Sequence, residues 1–202
     1  MKSVDEMITD ILRREGGFTQ NQKDRAHYGK ADPARGRKWD CYCTNKGITQ
    51  ATLSDWLGRQ ATIEEVRNLG DDTAHEIFDL KFHRAPRIDT LPAEIRPLVF
   101  DCAVNHGPRQ AIRFVQRVIN LAGFGPVDVD GVLGPQSRKA AEKANAEMGP
   151  LFNDAILEER RNFYKMIVAR DPSQEVFLNG WLARADEFEI NSRTQSYGET
   201  ND

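Results

Sequence analysis

Two short stretches of this chain hold residue types that do acid–base chemistry at close quarters. The first is Glu15-Gly16-Gly17-Phe18, a glutamate followed by two glycines and an aromatic ring. The second is Thr44-Asn45-Lys46-Gly47-Ile48-Thr49. A carboxylic acid works as a general acid when it stays protonated near neutral pH, which requires that its ionised form be disfavoured. A glutamate at the C-terminal end of a helix meets the negative end of the helix dipole, which acts in that direction. The paired glycines let another backbone or a ligand come close. Alone, Glu-Gly-Gly is a weak signal, because most glutamates at helix ends have no chemical role. Joined to the downstream Thr-Asn-x-Gly-Ile-Thr it is far more specific. The chain has no phosphate-binding loop, no dinucleotide fingerprint and no Gly-x-Ser-x-Gly elbow.

The elements that must position these residues read as helices separated by glycine and proline. Ser3-Val4-Asp5-Glu6 is a capping box. Val4, Met7, Ile8, Ile11 and Leu12 then recur at helical spacing, and Gly16-Gly17 stops the helix, so Glu15 falls at its end. Residues 18–50 lack helical periodicity and read as a long loop or a small irregular β-region, a length that is often functional. Helices resume near Thr52–Leu57. Thr62-Ile63-Glu64-Glu65 is a second capping box, and Asp72 is expected to cap a helix running to about His83. From Pro92 a segment apolar almost all round, including Leu98, Phe100, Cys102 and Val104, reads as a central buried helix ending at Asn105-His106-Gly107-Pro108. Further helices are expected from Pro108, Pro135 and Pro150, and a last one carries Phe177, Trp181, Ala185 and Phe188. The tail from Asn191 lacks a stripe and reads as mobile. The expected class is mainly α with a small irregular or β region near residues 18–50.

Composition narrows the function. The 202 residues are 39% hydrophobic and 29% charged, the balance of a globular chain. No apolar run is long enough to span a bilayer. The N-terminus lacks the apolar core and cleavage site of a signal peptide, so a Sec signal is not expected. A net charge of −3 argues against nucleic-acid binding. The charge is uneven: the first fifty residues hold ten Lys/Arg and seven Asp/Glu, net +3, and the rest are net −6. The basic excess gathers at Lys30, Arg35, Arg37 and Lys38, either a solvated loop or a surface that meets an acidic polymer. Three cysteines, Cys41, Cys43 and Cys102, do not make a disulfide framework, and reduced, partly buried thiols are expected. Neither they nor the four scattered histidines have metal-ligand spacing, and Asp128-Val129-Asp130-Gly131 lacks the rest of a calcium loop. No metal and no cofactor are expected.

Five separated motifs carry a resemblance, in the same order along the chain. Glu15-Gly16-Gly17-Phe18, Thr44-Asn45-Lys46-Gly47-Ile48-Thr49, Phe100-Asp101-Cys102-Ala103-Val104-Asn105-His106-Gly107-Pro108, Asp130-Gly131-Val132-Leu133-Gly134-Pro135-Gln136-Ser137 and Asn179-Gly180-Trp181-Leu182-Ala183-Arg184 all take part. They resemble the N-acetylmuramidases of glycoside hydrolase family 108, with the peptidoglycan-binding region usually joined to them. The resemblance implies a lysozyme-like helical fold, with residues 1–108 as the catalytic region. Residues 109–190 would be a helical peptidoglycan-binding region packed on it, and residues 191–202 a tail.

It implies cleavage between N-acetylmuramic acid and N-acetylglucosamine, with Glu15 as general acid. Such hydrolysis uses two carboxyl groups. The second is open among Asp24, Asp32 and Asp40, because this chain has a longer, basic and aromatic loop where family members carry Asp-Pro-Gly-Gly. Asp40, nearest the threonine, is the first choice. Thr44 is expected to hold a water or the aspartate, and Phe18, Tyr42, Asn45 and Asn105 to contact sugar. For Trp39 and Tyr42, stacking on sugar and packing over the loop are both open. Asp101 and Asn105 also fit a purely bracing role at the helix end, and Trp181 fits the core. The implied partner is the peptidoglycan glycan strand, met by a monomer after release from the cytoplasm or dedicated export. Two other readings stand beside it: a glycan-binding module without catalysis, and a thiol- or zinc-dependent interaction protein built on the cysteines.

Overall fold

The computed structural model describes residues 2–20 and 43–197, with side chains to residue 189. Asp24, Asp32, Trp39, Asp40, Cys41, Tyr42 and the basic cluster from Lys30 to Lys38 lie outside the described residues. The architecture is mainly α with a three-stranded antiparallel sheet, the expected lysozyme-like class. Backbone contacts divide the chain into two compact units, one spanning Lys2–Leu80 and the other beginning at Lys81.

In the first unit, α1 (Val4–Arg14) starts at the expected capping box. The Ser3 hydroxyl accepts from the Glu6 amide at 3.2 Å, and the Glu6 carboxylate accepts from the Ser3 amide at 2.7 Å. The helix buries Met7, Ile8 and Ile11 and ends where Glu15 turns extended. The irregular region resolves into a sheet in the order β1 (Thr19–Gln20), β2 (Cys43–Asn45) and β3 (Ile48–Thr49). Thr19 lies opposite Thr44, Thr44 opposite Thr49, and Asn45 opposite Ile48. The two-residue turn Lys46-Gly47 has positive φ at both positions, 53° and 75°, as the tight hairpin turn that matches strand twist requires.

Thr49 then caps α2 (Gln50–Leu57), its hydroxyl accepting from the Thr52 amide at 3.1 Å. The second capping box, Thr62 with Glu65, starts α3 (Ile63–Arg67). The next helix, α4 (Asp71–Ile77), is capped by Gly70 and not by Asp72. Both Asp71 and Asp72 therefore sit in the first turn, where the dipole favours negative charge. Beyond Ile77 the chain widens into π-helical turns, Phe78–Arg84, so the helix expected to reach His83 changes its winding on the way.

In the second unit, a 3-10 turn (Ile88–Thr90) leads to α5 (Arg96–His106), buried from Leu98 through Ala103. This helix begins at Arg96, four residues later than Pro92 suggests. Pro108 opens α6 (Pro108–Leu121), Pro135 opens α7 (Pro135–Met148) and Pro150 opens α8 (Pro150–Arg170), each proline taking a position where its missing N–H is harmless. Asp171 ends α8 and caps a 3-10 turn (Pro172–Gln174) leading to α9 (Glu175–Tyr197). The helix α5 packs on α6 and α8, and α8 on α9. The backbone is helical through residues 191–197, where a tail is expected from the sequence. No glycine or proline interrupts those residues, so an established helix propagates through them. No helix among the described residues is long and apolar enough to cross a membrane.

Candidate active site

Glu15 is the C-cap of α1, its amide donating to the Ile11 carbonyl at 2.8 Å. Its half-buried side chain lies over the hairpin turn. A Cβ added to Gly47 would stand 2.9 Å from both Cγ and Oε2 of Glu15, so only glycine lets the turn come this close. The backbone ties the same two segments together, because the Lys46 amide donates to the Gly16 carbonyl at 3.1 Å. Lys46 is anchored in turn by an ion pair with Asp71 at the start of α4. The two motifs singled out in the sequence, 25 or more residues apart, thus meet at one place in the first unit.

The remaining motif residues hold that meeting point. Asn45 is buried, and its side-chain amide donates to the carbonyls of Val66 at 3.0 Å and Arg67 at 2.8 Å. Those carbonyls end α3, where the helix leaves acceptors to be met from outside it; Val66 also accepts from the Leu69 amide at 3.3 Å. Phe18 is half-buried, with the Arg67 guanidinium 4.3 Å from its ring centroid. Asn45 and Phe18 are therefore both fastened to the end of α3. The hydroxyl oxygens of Thr44 and Thr19 lie 3.0 Å apart across the β1–β2 pair. Among the expected site residues, the structure brings together Glu15, Phe18, Thr44 and Asn45. Gly47 and Lys46 are the members that residue chemistry misses; the positive φ demanded by a two-residue hairpin turn is the signal that finds them.

Asn105 belongs to the second unit, where its side-chain amide donates to the Tyr164 hydroxyl at 3.3 Å. The nearby Asp101 does more than brace its own helix. It is 1% exposed and binds two guanidiniums, Arg160 of α8 at 2.7 Å and Arg184 of α9 at 2.9 Å. Burial pushes its carboxyl up, but the charges and hydrogen bonds of Arg160 and Arg184 outweigh this and hold it below the ordinary carboxylate range. Arg160, wholly buried, also donates from Nε to the Tyr164 hydroxyl at 2.9 Å. Trp181, expected in the core, is half-buried and stacks on Tyr164 at 5.3 Å.

Of the two described cysteines, Cys43 departs from the expectation of reduced thiols and Cys102 meets it. Cys43 is buried and disulfide-bonded. Cys102 is free, and burial pushes its thiol up to about 11, so it is protonated and inert at neutral pH. Among the described residues no group of three His, Cys, Asp or Glu is disposed to hold a metal. The Asp130 carboxylate accepts instead from the Gln116 amide at 2.9 Å and the Val132 N–H at 2.8 Å, which folds the loop entering α7.

Comparison with known proteins bears on this geometry. The family model described as glycosyl hydrolase 108 matches residues 8–107, the stretch containing Glu15 and the hairpin. The chain belongs to the glycosyl hydrolase 108 family. A second model, described as a predicted peptidoglycan domain, matches residues 110–186. The boundary between these models falls near α6, whereas the compact units divide at residue 80, because α5 packs on α6 and α8. The solved structure of Brucella abortus SagA is similar over 98% of each chain, with 25% identity and a TM-score of 0.74. No curated protein matches the chain. Family membership makes the chain a glycoside hydrolase related to peptidoglycan.

Proposed function

We propose that this protein is an N-acetylmuramidase, cleaving peptidoglycan between N-acetylmuramic acid and N-acetylglucosamine with Glu15 as general acid. The carrying observation is the close seat of the Glu15 side chain on the Gly47 turn, which brings one carboxyl group against the β2–β3 hairpin. Glycosidic cleavage passes through an oxocarbenium-like state, in which one acid protonates the leaving oxygen while a second group supplies electrons to the sugar carbon. Glu15 gives its proton to the leaving oxygen. Asp40 is the second carboxylate, and the Thr44 hydroxyl orients it or the attacking water. Phe18, Tyr42 and Asn105 contact the strand. Asn45, with its amide already committed to α3, acts by placing the hairpin. Residues 1–108 form the catalytic region and 109–190 the wall-binding one. The enzyme acts as a monomer on wall peptidoglycan, reached by release or dedicated export.

Mass spectrometry of the fragments released from purified peptidoglycan tests this reading. Wild-type protein is expected to release muropeptides ending in reducing N-acetylmuramic acid, and Glu15→Gln to release none while keeping its circular dichroism. Fragments cut at an amide bond, or full activity in Glu15→Gln, would overturn it.

A further inference from the structure

The helix α9 contains a glycine that its own fold does not require. Gly180 lies in the helical interior, where glycine is a poor helix former, second only to proline. It does not have the positive φ that would call for glycine. Nothing lies within 4 Å of where its Cβ would be, so no neighbouring segment packs into the gap. Packing and backbone conformation do not account for this glycine, and the open space beside it lets a ligand come close to the backbone.

The residues around the gap say what kind of molecule fits. Val176 and Phe177 lie one turn before Gly180, and Trp181 follows it, so the four share one continuous patch of helix surface. Val176 and Phe177 are 79% and 53% exposed, an unusual outlay of apolar surface on one turn. Phe177 stacks on Trp181 at 5.9 Å and 25°, and Trp181 on the buried Tyr164 at 5.3 Å and 22°. Hydrogen bonds from Arg160 and Asn105 hold the Tyr164 hydroxyl. The outer ring is thus the end of a ladder rooted in the core, and a ligand landing on it need not immobilise a loose side chain. The faces of such rings carry partial negative charge and attract the C–H groups of a pyranose. None of the four residues is charged, which suits a neutral sugar better than the carboxylates of a stem peptide. The patch lies inside the 110–186 match to the peptidoglycan domain.

We propose that Val176, Phe177, Gly180 and Trp181 form a carbohydrate subsite for one N-acetylhexosamine ring of the glycan strand. The apolar face of the sugar rests on Phe177, and its edge fills the space above Gly180. This rests on the peptidoglycan reading of the function but not on Glu15. The test measures binding of the full chain to purified sacculi in a Glu15→Gln background. Gly180→Ala is expected to weaken binding about tenfold while raising Tm by about 2 °C, since alanine is the better helix former. Phe177→Ala is expected to weaken binding similarly. Leu121→Ala, an exposed apolar residue at the end of α6, is expected to leave binding unchanged. Parent-level binding by both Gly180→Ala and Phe177→Ala would overturn the proposal, as would a parent that does not bind sacculi. Failure of the hydrolase reading registers separately, as wild-type protein that binds sacculi and releases no muropeptides.

Discussion

Replacing Gly47 by alanine separates the position of the Glu15 carboxyl from the stability of the fold. The backbone at Gly47 has φ +75°, so an alanine there meets left-handed strain of about 1–2 kcal/mol. For a chain of this length that is a fall in Tm of about 3–6 °C. The new methyl would also stand 2.9 Å from Cγ and Oε2 of Glu15 and 3.0 Å from Cδ, where ordinary contact begins near 3.4 Å. The flexible carboxyl is the side that gives way, retreating by about 0.5–1 Å. Misplacing a reacting group by about 1 Å costs up to about a hundredfold in rate. Gly58 supplies the control: its φ is +69° and nothing lies within 4 Å of the added methyl. Gly58→Ala is therefore expected to lose similar stability and keep its activity. The assay is clearing of a peptidoglycan suspension at a temperature where both variants are folded, with thermal unfolding followed in parallel. The reasoning predicts a ten- to hundredfold loss for Gly47→Ala alone. Equal clearing rates in the two variants would refute it, because the turn would then not set the position of the acid.

Three other outcomes follow from the described contacts. Asn45→Ala removes a buried side-chain donor from both the Val66 and Arg67 carbonyls and is expected to destabilise the fold by about 1–3 kcal/mol, read by denaturant unfolding. The Asp101 carboxyl is held below its unfolded range, so its contribution is complete above about pH 5 and shrinks as pH falls through the lower folded value. Asp101→Asn is expected to flatten that acid limb of stability against pH, and a limb unchanged by the substitution would contradict the ion-pair account. With its thiol pushed to about 11 and wholly buried, Cys102 is expected to react with a thiol reagent only after unfolding, as a timed titration in and out of denaturant would show.

Much of this fold is legible in the order of residues, because its helix boundaries rest on local chemistry. The Ser3–Glu6 and Thr62–Glu65 capping boxes and the prolines at 108, 135 and 150 act within a turn of themselves, and the helices begin where they say. The signals that mislead are those compatible with more than one outcome, such as Pro92, which precedes α5 by four residues. Two adjacent aspartates at 71 and 72 satisfy the helix dipole from inside the first turn as well as from the cap. The apolar spacing up to His83 does not distinguish an α-helix from wider π-helical winding, since both keep one face inward over so short a run.

The site is legible in a different measure, and Asn45 shows why. The family resemblance makes it an expected sugar contact, next to Thr44 in the motif. Its role depends on a carbonyl pair about 20 residues downstream, at the end of a five-residue helix where few backbone donors are in reach. Phe18 has the same dependence, since Arg67 lies on its ring. Local spacing therefore singles out the hairpin, and only the fold shows which of its side chains are already committed to neighbouring elements. The arrangement has a physical logic. An acid at a frayed helix end wanders unless something rigid backs it, and here the backing is a two-residue turn, pinned by Asn45 to α3 and by Lys46 to α4. The glutamate and the Thr-Asn-x-Gly-Ile-Thr stretch are thus two halves of one device. Either half alone is a weak signal because either half alone would not hold a carboxyl group still.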